Sequence, residues 1–363
     1  MDTHEEMTVE NAAPARRRPW LLPALLAVAL VAAAGGLGIG YLRAGGNGEI
    51  AGGMPSVPGV TLLTAQEAGA AADADNAAAE NAAVSAADAL PGSAAPTKAV
   101  FGPALPPAQY VAHLPTSYAL PIQYGTLGPQ LVKAGVIDLP AFVGLYADGG
   151  SPLSADQEAI LRDGKEEPVV IDAANAHFLL NFFWAVGLAN RNPLLLEGPM
   201  QEGGPEAVFQ FASTGGWTLA AMPIEETYAA LPLIELTAAQ QARLEAVAVS
   251  VYRPCCGNST AFPDCNHGMA MLGILELMAA QDASEDEMYA AAKYVSAFWF
   301  PQEVTEAAAY FKLTQGLDFD AIDPQRLVSR DILSLSGAKS IRQWLADAGR
   351  LGQPVQSGGS CGA

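Results

Sequence analysis

The chain has 363 residues, with 38 Asp and Glu against 18 Lys and Arg, for a formal net charge of -20. Such a field repels a phosphate backbone, so nucleic-acid binding is excluded as a working reading. The acidity is assigned to a solvated face that also concentrates cations.

At the N-terminus, Arg16, Arg17 and Arg18 precede an uncharged stretch, 19–42, closed by Arg43. Twenty or so apolar residues span a bilayer as one helix. The triple Arg places residues 1–18 on the cytoplasmic side and everything after Arg43 outside. Trp20 and Tyr41 stand where interfacial aromatics belong. The competing reading is a cleaved signal peptide, with 21–31 as its apolar region and Ala32, Ala33 and Ala34 as small residues for cleavage. The apolar run continues past that point, which favours an uncleaved, single-pass anchor in the cell membrane. Both readings export the remainder, so the main domain is expected to be extracytoplasmic. Gly36 and Gly40 form a small-xxx-small pair through which two anchors could make a homodimer, unless the span is merely Gly-rich.

Residues 43–97 are rich in Ala and Gly and contain no Trp, Tyr or Phe. They cannot bury enough apolar surface to offset their ordering entropy, and a disordered linker is expected. Aromatics resume at Phe101, and 98–350 is long enough for one sizeable core. A flexible tail, 351–363, carries Cys361, read as an exposed thiol or an intermolecular partner.

The domain reads as all-α with at most a minor β element. Ser154 with Gln157 is a capping-box pattern opening a helix to 161, and Ser284 with Glu287 opens another to 300. Thr237 starts a helix over 238–252, stopped by Pro254. Pro301 fits the first turn of a helix over 301–313, with Gly316 just beyond. The segment 175–191, NAHFLLNFFWAVGLANR, is the most apolar after the anchor but too short to span a membrane, so it predicts a central core helix. Only 169–171 and 217–222 carry strand signals.

The chemistry concentrates in a loop over 252–268, where Cys255 and Cys256 are followed after eight residues by Cys265 and then His267. A helix over 268–280 follows, with Asp264 or Asn266 as its cap, so Cys265 and His267 fall at its positive end. A thiolate is favoured there. Adjacent cysteines in extended chain point apart, so both join the group only if the backbone turns at Cys255.

Three readings follow. In the first, the thiolates and imidazole bind a soft transition metal, copper or zinc, since thiolate-rich sites select such ions. Met269 and Met271 could add thioether ligands, although Met271, Leu275 and Met278 have the spacing of a core face. His177 lies on one helix face with Asn181 and Trp184 and could supply a second imidazole, although a lone His in an apolar helix is more often a hydrogen-bonded core residue. In the second, Cys265 forms a disulfide with one of the pair, as expected in an oxidising compartment. In the third, Cys265 is a nucleophile with Asp264 or His267 as proton carrier.

The spacing fits neither paired C-x-x-C zinc chelates nor C-x-x-C-H haem attachment. There is no P-loop, G-x-G-x-x-G after a strand, H-E-x-x-H or G-x-S-x-G. No catalytic residue is therefore assigned. The reading is a membrane-anchored protein that binds, senses or buffers a soft metal through Cys255, Cys256, Cys265 and His267.

Overall fold

The computed structural model describes residues 114–351. The cytoplasmic tail, the anchor at 19–42, the linker at 43–97, residues 98–113 and the tail beyond 351 lie outside the described residues. Among the described residues, no helix is long and apolar enough to cross a membrane.

The chain is mainly helical, with one two-stranded antiparallel sheet. Strand β1 (Ser117–Gly125) pairs with β2 (Lys165–Asp172), Ser117 opposite Asp172 and Tyr118 opposite Ile171. Only 169–171, inside β2, had a strand signal. In β1, Leu120, Ile122 and Tyr124 face the core while Ala119, Pro121 and Gln123 face out, the alternation of a half-buried strand. Pro121 obscures that pattern, because it cannot donate to a ladder and the pairing is irregular between Ala119 and Gln123.

Helices α1 (Leu127–Lys133), α2 (Leu139–Asp148) and α3 (Ala155–Arg162) connect the two strands. The box at Ser154 is formed: Gln157 N donates to Ser154 Oγ at 3.2 Å, and Ser154 N donates to Gln157 Oε1 at 2.8 Å.

Next come α4 (Ala176–Ala189), α5 (Pro193–Leu196) and an irregular stretch that includes α6 (Ile224–Thr227). The expected strand at 217–222 does not form. Its backbone bonds go to the turn between α1 and α2, where Asp138 N donates to Leu219 O and Ala221 N to Gly135 O. A single turn satisfies these groups, so no ladder develops.

Helices α7 (Ala238–Ala248), α8 (Asn266–Ala280), α9 (Glu285–Trp299) and α10 (Pro301–Gln315) follow. The α7 helix stops short of the expected residue 252, because Tyr252 leaves to bridge Ser259. Capping boxes open α7 at Thr237 and α9 at Ser284, and Gly316 ends α10 with φ +72, a conformation glycine adopts without strain. The chain finishes with α11 (Pro324–Leu327), α12 (Arg330–Leu333) and α13 (Leu335–Asp347).

The pairing of α4 with α8 is the most extensive contact between two helices among the described residues. Every α4 residue from Phe178 to Ala189 is buried, as are the α8 residues from Asn266 to Ala279. The two axes come close because neither helix has a side chain at the crossing. A Cβ on Gly187 would overlap the Met269 carbonyl oxygen, and one on Gly273 would lie 2.6 Å from the Phe183 carbonyl oxygen. The helices run in the same direction: His177 and His267 interact at one end, Asn190 and Glu276 at the other. Two helix N-termini therefore lie side by side, next to the cysteine loop.

Candidate metal centre

The loop is closed by its own backbone. Tyr252 bridges Ser259, Thr260 N donates to Val251 O at 2.8 Å, and Leu335 N donates to Cys256 O at 3.1 Å from the start of α13. The chain turns at Pro254 and Cys255, which brings both adjacent cysteines to one side. Trp184 holds the other edge indirectly, since its Nε1 donates to Ser213 O and Ser213 N donates to Asp264 O.

Three sulfurs meet here. Cys255, Cys256 and Cys265 Sγ all lie within 4.8 Å of one another, an arrangement that could hold a metal ion. Cys255 and Cys265 Sγ are 3.4 Å apart, and all three are free thiols. Cys265 is buried, whereas Cys255 and Cys256 are partly exposed.

Arg253 organises the cluster, and the sequence reading missed it. Its side chain is buried, Nε donates to Cys265 Sγ at 3.0 Å, and Nη1 donates to Asn258 O at 3.1 Å. Nη2 donates to Phe262 O at 2.9 Å and to the Asp264 carboxylate, with which it forms a salt bridge. The guanidinium is thus shared between a sulfur, a carboxylate and two carbonyls, which suits its planar fork of donors. It also rests against Gly268, where a Cβ would collide with the guanidinium carbon, so this glycine provides the space Arg253 occupies. The available signal was a cation beside the cysteine pair, in YRPCC, and an anion beside the third cysteine, in PDC.

The expected capping by Asp264 is not the arrangement found. The α8 helix begins at Asn266, two residues early, with Cys265 at the N-cap position making no side-chain cap, while the Asn266 side chain accepts from His267 N at 2.8 Å. Asp264 turns instead to Arg253 and accepts from Asn258 Nδ2 at 2.8 Å, and Cys256 Sγ lies 3.6 Å from its Oδ1. Hydrogen bonds from the Cys255 and Cys256 thiols, with Arg253 beside it, hold the Cys265 thiol well below the ordinary range despite burial. Contacts with Cys256 and Cys265, together with burial, push the Cys255 thiol up. Cys256 is pulled down by Cys255, yet Cys265 and burial leave it up at about 12. Of the three thiols, Cys265 is the one most readily deprotonated.

His267 is adjacent to this trio but not one of the mutually close ligand atoms. Its ring is buried, 4.6 Å from the Phe300 ring and 5.8 Å from Trp299 between centroids, and Nδ1 has no hydrogen-bond partner. Burial lowers its pKa to about 4, against the Cys265 thiolate and with help from Arg253 and His177. The imidazole is neutral at pH 7.

His177 does not reach the sulfurs' group either. Its Nε2 is 3.4 Å from Asn181 Nδ2, its ring is 5.2 Å from Tyr146, and burial lowers its pKa. Met269 and Met271 are buried members of the hydrophobic core, the structural role their helical spacing allowed.

No family model matches this chain, and no similar protein is found among curated proteins or solved structures. The site is therefore defined by its own geometry: a mainly helical domain with a partly buried, arginine-braced cluster of three cysteines.

Proposed function

We infer that this cluster binds a soft transition metal of the copper or zinc class, with Cys255, Cys256 and Cys265 as ligands and His267 as a fourth. The observation that carries the reading is the meeting of three sulfurs within 4.8 Å of one another, one of them paired with a buried guanidinium. A metal about 2.3 Å from each thiolate spaces the sulfurs by roughly 3.8 to 4.0 Å, so closure on an ion needs only small shifts. Binding would release the protons of Cys255 and Cys256, and Arg253 would offset part of the negative charge of three thiolates. His267 supports the same reading because its ring is neutral and its Nδ1 has no other use. With the anchor expected at 19–42, the protein would hold this metal at the outer face of the membrane, as a sensor or a buffer, with the anchors free to pair through Gly36 and Gly40.

The test is elemental mass spectrometry with a free-thiol count on the full chain, purified in detergent without oxygen, chelator or histidine tag. About one copper or zinc ion per chain is expected, absent from a Cys255→Ser, Cys265→Ser double variant that keeps its circular dichroism spectrum. His267→Ala should weaken retention of the ion against a chelator by about 10- to 100-fold or more. A chain without metal that also fails to take up Cu(I) or Zn(II) when titrated would refute the reading.

A further inference from the structure

Beyond binding a metal, the same residues are arranged for covalent chemistry. We propose that Cys255 and Cys265 form a dithiol–disulfide couple that exchanges with small-molecule disulfides such as oxidised glutathione, leaving Cys256 outside the bond. The two sulfurs are already 3.4 Å apart, a near-attack separation, and they come from the two ends of a loop whose closure is fixed by backbone bonds.

Their surroundings divide the work. Cys255 is partly exposed and meets the incoming disulfide, whereas Cys265 is 7% exposed and accessible chiefly from within the cluster. Cys256 has a different neighbour, with the Asp264 carboxylate 3.6 Å from its sulfur. Arg253 Nε faces Cys265 Sγ at 3.0 Å and stabilises negative charge on that sulfur until it attacks the mixed disulfide.

The steps balance with the small disulfide as oxidant. Cys255 loses its proton to solvent, and its thiolate attacks one sulfur of the disulfide. The S–S bond breaks, and the small thiolate that leaves takes up a proton from solvent. Cys265 thiolate then attacks the Cys255 sulfur of the mixed disulfide and expels the second small thiolate. Two protein sulfurs are oxidised by two electrons, and one disulfide is reduced to two small thiolates, each of which takes up a proton from solvent. If the metal reading holds, this bond removes two of its ligands, so oxidation would release the ion.

The experiment uses the metal-free full chain in detergent, incubated with oxidised glutathione, alkylated and mapped by peptide mass spectrometry. A Cys255–Cys265 bond with alkylated Cys256 is expected. In Cys265→Ser a stable glutathione adduct should accumulate on Cys255, and in Cys255→Ser no bond should join Cys256 to Cys265 at a comparable rate. Unchanged circular dichroism spectra check that the variants remain folded. A bond that includes Cys256 in the parent chain, or adducts without an internal bond, would overturn the proposal. Because metal is absent throughout, failure here leaves the metal reading standing. A metal-free chain that refuses Cu(I) and Zn(II) yet forms this bond would refute only the other.

Discussion

The two ends of the α4–α8 pair bury ionisable groups in opposite ways. At the N-terminal end the Cys255 and Cys256 thiols and the buried Arg253 guanidinium hold the Cys265 thiol well below its ordinary range despite burial. At the other end Glu276 is fully buried beside the amides of Asn190 and Asn192. Burial raises its pKa well above the ordinary value, and the side chains of Asn190 and Asn192 oppose that only in part. Neither carboxyl oxygen has a hydrogen bond of good geometry. Asn190 Oδ1 is used by Ile234 N, and Asn192 exchanges hydrogen bonds with Gln241. The difference shows what burial requires: a charge survives inside a protein when its counter-charge is buried with it, and otherwise the group takes its neutral form. Chemistry is available at the first end and only packing at the second.

The largest effect should come from removing the counter-charge. Arg253→Met leaves a sulfur, a carboxylate and two carbonyls without their donor. Breaking one side of a buried pair costs about 3 to 5 kcal/mol. Urea unfolding of the metal-free chain should show that loss, and alkylation of Cys265 should slow as its thiol regains a proton. A loss under about 1 kcal/mol with unchanged alkylation would mean that the guanidinium is not what holds the thiolate.

Helices α3, α7, α9 and α10 were legible because their start signals are local. The side chains of Ser154, Thr237 and Ser284 bond only to residues three positions ahead, and Pro301 and Gly316 act on their own backbone. The sulfur cluster was legible for the same reason, since ten residues separate its ends. The identity of Arg253 as the organiser was not, because only the folded loop places its guanidinium between Cys265 and Asp264. Strand β1 was hidden for a related reason: its partner β2 lies three helices away, and Pro121 masks the alternation of Leu120, Ile122 and Tyr124. The proximity of His177 to His267 also depends on the glycine crossing, where Gly187 and Gly273 let two helices approach.

That crossing joins the two ends and gives the next effect in size. Gly187→Ala places a methyl group on the Met269 carbonyl and the Gly273 backbone, so the helices must separate. Overpacking of this kind costs about 1 to 3 kcal/mol. The melting temperature should fall, and both the alkylation rate of Cys265 and the pH response of Glu276 should change together. A stable variant in which neither end responds would separate the two.

The ends should also answer pH with opposite signs. His267 has a native value of about 4 against 6.5 ordinarily, so between those values the unfolded chain takes up a proton that the native state does not. Its contribution is present above about pH 6.5 and is lost as pH falls towards 4, at up to about 1.4 kcal/mol per pH unit. His267→Asn should flatten that acid-side decline, measured as unfolding free energy from pH 7 to pH 4. An unchanged slope would mean that the ring is not held neutral.

Glu276→Gln should have the smallest effect on stability in acid. There both native and unfolded chains hold a neutral carboxyl, and the amide preserves its shape, so the change at pH 4 should stay within about 1 kcal/mol. Above the ordinary value of 4.5 the unfolded parent chain releases a proton that native Glu276 retains. The stability associated with this carboxyl is therefore full below about pH 4.5 and is lost as pH rises towards its raised native value. The amide does not titrate, so the variant should lose the alkaline-side decline and overtake the parent as pH rises from 5 to 8. Parallel curves for parent and variant across that range would mean that Glu276 is ionised in the native state, which would require a buried counter-charge facing it, as Arg253 faces Cys265.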